Sequence, residues 1–146
     1  VADPVQSRPN YTVHHLASQK AVRFAVPAGF VDDSILRFRL GDSVSVTVAT
    51  DALGGTLEAY AKEQEAAMRA QRFAGYSAEG LRVVDGVVCV DRSFDDGKGQ
   101  VTQRQAFASG GKGVVVVVTA SARPAHQAKA QQAVFAIVQS LGPAAT

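Results

Sequence analysis

Tryptophan is absent from this 146-residue chain, and cysteine and methionine occur once each. A single cysteine, Cys89, excludes a disulfide framework within the chain. It stands in the apolar run Val87-Val88-Cys89-Val90 and reads as a small buried hydrophobe. Histidine is also scarce: His14, His15 and His126. Neighbouring strand residues point to opposite faces, so His14 and His15 cannot hold one metal together. His126 has no partner at ligand spacing, and no metal site is expected. Charge is sparse and balanced, with a net +2 and scattered Lys and Arg, which argues against a nucleic-acid or membrane-surface partner. No run approaches the ~20 apolar residues of a membrane span, and no cationic-then-apolar leader opens the chain as given. A glycine-rich phosphate loop and a βαβ alternation are missing too.

What the chain does have is period-two alternation interrupted by two helical stretches. Residues Val1 to Asn10 read as a flexible tail, followed by one domain over residues 11–142. Strands are expected at Tyr11–Leu16, Val22–Val26, Ser34–Leu40 and around Val44, Val46 and Val48, with Gly41-Asp42 as a hairpin turn. Thr56 suits an N-cap for a helix to about Phe73, whose Leu57, Tyr60, Ala61, Gln64, Ala67 and Met68 share one face. Further strands follow at Ser77–Val84, Gly86–Phe94, Gln100–Ala108 and Gly113–Ser121. Val114–Val118 is continuously apolar and reads as a central strand covered on both faces. Pro124 suits the first turn of a last helix, stopped by Gly142-Pro143. This order gives an α+β fold, an antiparallel sheet with helices packed on it.

Catalytic constellations are not apparent. Asp32-Asp33 and Asp95-Asp96 are carboxylate pairs, but turn chemistry accounts for them better than acid–base work. No nucleophile, base and orienter can be assembled, so the chain is not expected to be an enzyme. One segment stands out, Val101-Thr102-Gln103-Arg104-Gln105-Ala106-Phe107. As a strand it places Val101, Gln103, Gln105 and Phe107 on one face and Arg104 on the other, where it reads as a solvated cation. A primary amide buried without partners costs roughly 1–3 kcal/mol. The glutamine face is therefore either an ordinary exposed face or a surface that receives an apolar partner with polar groups of its own.

Four segments, in order and spacing, carry a resemblance. They are Phe24-Ala25-Val26-Pro27-Ala28-Gly29-Phe30 followed by Asp33; Ser45-Val46-Thr47-Val48 followed by Asp51; Leu57 to Gln64 as Leu-x-x-Tyr-x-x-x-Gln; and Val101 to Phe107. Over roughly Tyr11 to Leu141 the chain resembles the DcrB-related family, and within it the effector-associated (Eag) chaperones of bacterial type VI secretion. It departs from their pattern at Phe30, at Asp32-Asp33-Ser34 and at Thr50.

The resemblance implies a Mog1/PsbP-like fold, a homodimer, a cytoplasmic location, and neither catalysis nor a cofactor. It implies a client: the hydrophobic N-terminal helices of a secreted toxin effector, shielded before export, with contact to the secretion spike through that effector. Direct membrane insertion of the chain itself is not implied. Matched onto this sequence, the client groove would draw on Leu36, Phe38, Ser45, Thr47, Gln64, Gln103 and Gln105. Leu36 and Phe38 could supply apolar area at ~25 cal/mol per Å², although both also suit an internal core. Ser45 and Thr47 are small enough for close approach, and the glutamines could bond helix carbonyls or hydroxyls. The alternative is a periplasmic DcrB-like or PsbP-like accessory protein of the same fold. The identity of the effector and the binding stoichiometry are not encoded in these motifs.

Overall fold

The computed structural model describes residues 10–15, 20–25, 28 and 35–141. The chain divides into two compact units, Val1–Asp33 and Ser34–Thr146. The first contains an antiparallel pair, β1 (Asn10–His15) and β2 (Lys20–Ala25), in register Asn10 to Ala25 through His15 to Lys20. The expected tail lies outside the described residues, apart from Asn10, which opens β1. Leu16, Asp32-Asp33, Gly142-Pro143 and most of the Pro27–Asp33 match also lie outside them.

The second unit is a seven-stranded antiparallel sheet with two helices. Its strands are β3 (Ile35–Leu40), β4 (Val44–Ala52), β5 (Ser77–Ala78), β6 (Arg82–Val84), β7 (Val87–Asp95), β8 (Gln100–Ser109) and β9 (Val114–Ala122). They lie in the order β3-β4-β9-β8-β7-β5, with β6 also pairing β7. Helix α1 is Leu57–Ala70, and α2 is Gln127–Ser140 after a 3-10 turn at Pro124–His126. The α+β expectation holds, and the apolar run in β9 is an inner strand with core on both faces: Val115 toward α1, Val116 and Val118 toward α2.

Local chemistry explains most boundaries. The Thr56 hydroxyl accepts from the Ala59 N–H at 3.1 Å, capping α1. The helix stops at Ala70 rather than at Phe73, because Arg72 takes a left-handed φ of 54° and Phe73 turns inward to stack on Phe94, ring centroids 4.8 Å apart. Asp85-Gly86 joins β6 to β7 with φ of 50° and 78°, the two positive values that a two-residue hairpin turn requires.

Two register details differ from the sequence expectation. The β3–β4 turn has three residues, Gly41-Asp42-Ser43, so Leu40 pairs with Val44, Phe38 with Val46 and Leu36 with Val48. The expected Ser77–Val84 strand is broken: Glu79, Gly80 and Leu81 face only Val90 and Asp91 of β7, one residue too many. That extra residue reverses the alternation. Ala78 faces α1, whereas Arg82 faces the α2 side.

Two cores result. Under α2, Val44, Val46, Ala106, Val118 and Ala120 pack on Ala130 and Val134. Under α1, Val88, Val90, Phe107 and Val115 pack on Ala61, with Tyr60 edge-on to Phe107 at 5.9 Å between centroids.

Candidate functional site

Residues directly opposite in an antiparallel register share a face. On the α1 side this rule assembles two rows across five strands. One is Val90, Gln105, Thr119, Thr47, Arg37; the other is Arg92, Gln103, Ser121, Ser45, Arg39. Apart from Val90 these are polar residues, running from beside the α1 core to the exposed Arg37 and Arg39 of the edge strand β3. Arg92 alone is buried among the charged residues described.

The rows are wired together from β7 toward β9. The Arg92 side chain donates from Nη1 to Gln103 Oε1 at 2.7 Å and to Gln105 Oε1 at 2.9 Å. Its Nη2 donates to Glu65 Oε2 of α1 at 2.6 Å. Glu65 also accepts from the Tyr76 hydroxyl. Burial and then the bond to Glu65 push the Tyr76 phenol above its usual range. Beyond the glutamines, Gln103 Nε2 donates to Ser121 Oγ at 3.1 Å, and Gln105 Nε2 donates to Thr119 Oγ1 at 3.0 Å. From Arg92 through the glutamines each bond is donated toward β9, so Ser121 and Thr119 accept on the inner side and keep their own O–H for a partner. Arg92 Nε is the one buried side-chain polar atom without a partner among the described residues.

The seven residues singled out in the sequence do not all meet. Ser45, Thr47, Gln103 and Gln105 lie half-buried on one face in adjoining rows. Gln64 is half-buried on α1 and takes no part in the network. Leu36 and Phe38 stand on the opposite face, in line with Val48 and Val46. They are 56% and 49% exposed, so they are not internal core, and together with Leu40 they form an apolar ledge on the edge strand. The resemblance places them in one groove with Ser45 and Thr47, as a two-residue Gly41-Asp42 turn would. The third turn residue shifts the register by one and moves both side chains to the other face.

The glutamines also differ from expectation, since their amides are already bonded within the protein. Arg104 does project to the opposite face, but as half of an ion pair with Asp91, not as a solvated cation. Asp95-Asp96 behaves as turn chemistry: Asp95 accepts from the Gly97 N–H at 2.7 Å and Asp96 from the Lys98 N–H at 2.8 Å. Arg92 and Glu65 were missed. A signal for Arg92 existed, since it is the one charged residue in the inward series Val88, Val90, Arg92, Phe94. Among the described residues, no three His, Cys, Asp or Glu side chains converge on a metal-sized site.

The sheet of the second unit carries one helix on each face and a hydroxyl-and-amide surface on one side. Residues 22–140 match the DcrB family model, so the chain belongs to the DcrB family. Among solved structures it is similar to PA94 from Pseudomonas aeruginosa, a protein of unknown function. That match has a TM-score of 0.66 and 19% identity, covering 95% of this chain and 99% of the other, a likeness of fold. No curated protein matches the chain. No described helix is long and apolar enough to cross a membrane.

Proposed function

We propose that this DcrB-family chain is a non-catalytic cytoplasmic chaperone. Its client is the set of hydrophobic N-terminal helices of a type VI secretion effector, held before loading and export. The motif resemblance supplies the client class, along with the Mog1/PsbP-like description of the fold. The observation that carries the reading is the directed ladder from Arg92, anchored on Glu65, through Gln103 and Gln105 to Ser121 and Thr119. It ends in hydroxyl donors beside the small residues Ser45 and Thr47. A helix that brings small residues against such a surface exposes backbone carbonyls, and those are acceptors. Interior bonds hold the glutamines in place, so binding does not have to order them.

The ledge of Leu36, Phe38 and Leu40 has a separate role in this reading. It is the contact between two copies of the chain, because an edge strand apolar on an open face invites a second edge. The test is co-expression with an effector N-terminal fragment, followed by pull-down and light scattering. Thr119→Val and Ser121→Ala should lose client and keep a mass of about twice 15.2 kDa. Leu36→Asp and Phe38→Asp should give the single-chain mass. Client retention by the Thr119 and Ser121 variants would remove the ladder from the mechanism.

A further inference from the structure

The opposite face of the sheet contains a cleft that the client face does not use. It lies between α2 and the β6–β7 hairpin and has a volume of about 430 Å³, within the size range of small-molecule sites. Val87, Ala106, Val134 and Val138 form apolar walls. Val84 and Phe135 also line it, yet they remain 46% and 56% exposed. Helix α2 packs on β9, β8 and β4, leaving this flank open.

One end of the cleft carries two guanidinium groups, Arg82 and Arg104. Arg104 donates to Asp91 from Nε at 2.7 Å and from Nη2 at 2.9 Å, and Arg82 Nη2 donates to the same carboxylate at 3.0 Å. Two guanidinium groups therefore share one largely buried acid. Burial pushes the Asp91 carboxyl up, but the bonds from Arg104 and Arg82 outweigh it and hold it below the usual range. The other acid near Arg82 is Glu79, 3.7 Å away with a mostly exposed side chain, and such a pair neutralises little. Asp85 also lines the cleft, but at the hairpin turn, beyond the Val84–Val87 pair and away from the arginines. Arg82 reaches this face only because of the extra residue in Glu79–Leu81.

We infer that this cleft binds a single-chain fatty carboxylate, with its head at Arg82 and Arg104 and its alkyl tail along Val87, Ala106 and Val134. Arginine suits a carboxylate, and Arg82 bonds Asp91 through Nη2 alone while Arg104 leaves Nη1 outside its bonds to Asp91, so N–H donors remain for a second carboxylate. An alkyl tail has no polar group to satisfy. A peptide in the same place would leave backbone N–H and C=O groups unpaired against valine and alanine walls. Cys89, the only cysteine of the chain, lies in the cleft. Burial pushes its thiol up, and a bound tail would cover it.

The full chain is titrated with laurate and with dodecanol by calorimetry, and Cys89 alkylation by a maleimide is timed with and without each. One laurate should bind per chain and slow alkylation about tenfold, with dodecanol about tenfold weaker for want of the charged bonds. Arg82→Gln leaves Asp91 paired with Arg104 alone. It should weaken laurate about tenfold and leave dodecanol unchanged. Val87→Trp, checked for a native circular dichroism spectrum, should abolish protection of Cys89. The inference is overturned by an alkylation rate indifferent to saturating laurate, by equal affinity for laurate and dodecanol, or by an Arg82→Gln variant that binds laurate as before. Tighter binding of an apolar peptide with a free C-terminus would also overturn it.

Discussion

Beneath α2 the sheet presents Val46, Val118, Ala120 and Ala106, packed dry against Ala130 and Val134. One residue along the same strands, the other face presents Thr47, Thr119, Ser121, Gln103 and Gln105, tied to a buried arginine. Small apolar side chains hold α2 by non-directional contact, and their losses are graded with the volume removed. The α1 face beyond Phe107 is held by bonds with fixed donors and acceptors, so one broken link strands several groups at once. Specific recognition suits the second kind of surface. The first kind leaves room for an apolar ligand only where the helix does not reach.

The largest expected effect comes from breaking the ladder at its centre. Arg92→Ala takes the donor from both glutamine carbonyls and leaves Glu65 with Tyr76 and Arg69 as its partners, and should cost about 3 kcal/mol in urea unfolding. On the opposite face, Val118→Ala removes two methyl equivalents from a dry core and should cost about 2 kcal/mol. If the valine change proved costlier than the arginine change, the contrast between the faces would fail. Gln103→Ala removes one acceptor of Arg92 and one donor to Ser121, and should cost about 1 kcal/mol in stability besides any loss of client.

A pH series sharpens the same comparison on the exposed flank of α1. The Tyr60 hydroxyl donates to Asp51 at 2.6 Å, and burial followed by that bond pushes its pKa up to about 12. The folded chain thus holds this proton more tightly than the unfolded chain. Its contribution is complete below pH 10 and is lost as pH rises from about 10 to 12. The denaturation midpoint of Tyr60→Phe should fall less steeply over that window than that of the parent. The smallest effect belongs to the ledge: Leu36→Asp should shift single-chain stability by no more than about 0.5 kcal/mol, since the side chain is already exposed. A large loss there would make Leu36 part of a core.

Strands, helices and most turns were legible because their causes are local. The Thr56 cap, the Asp85-Gly86 turn and the alternation in β7, β8 and β9 each act within a few residues. That Gln103 and Gln105 share a face was legible for the same reason. Their partners were not: Glu65 lies 27 positions from Arg92, and Ser121 lies 18 from Gln103. One turn residue between β3 and β4 decided that Leu36 and Phe38 leave the face of Ser45 and Thr47. One extra residue before β6 decided that Arg82 enters the cleft with Arg104.

By itself the sequence determined the α+β class, the inner position of β9 and the polar stripe on β8, because periodicity of side chains along one segment sets which of them point the same way. Only the tertiary structure decided which stripe faces which. Register between strands is set by the number of residues in a turn or bulge, and a difference of one exchanges the two faces of a sheet.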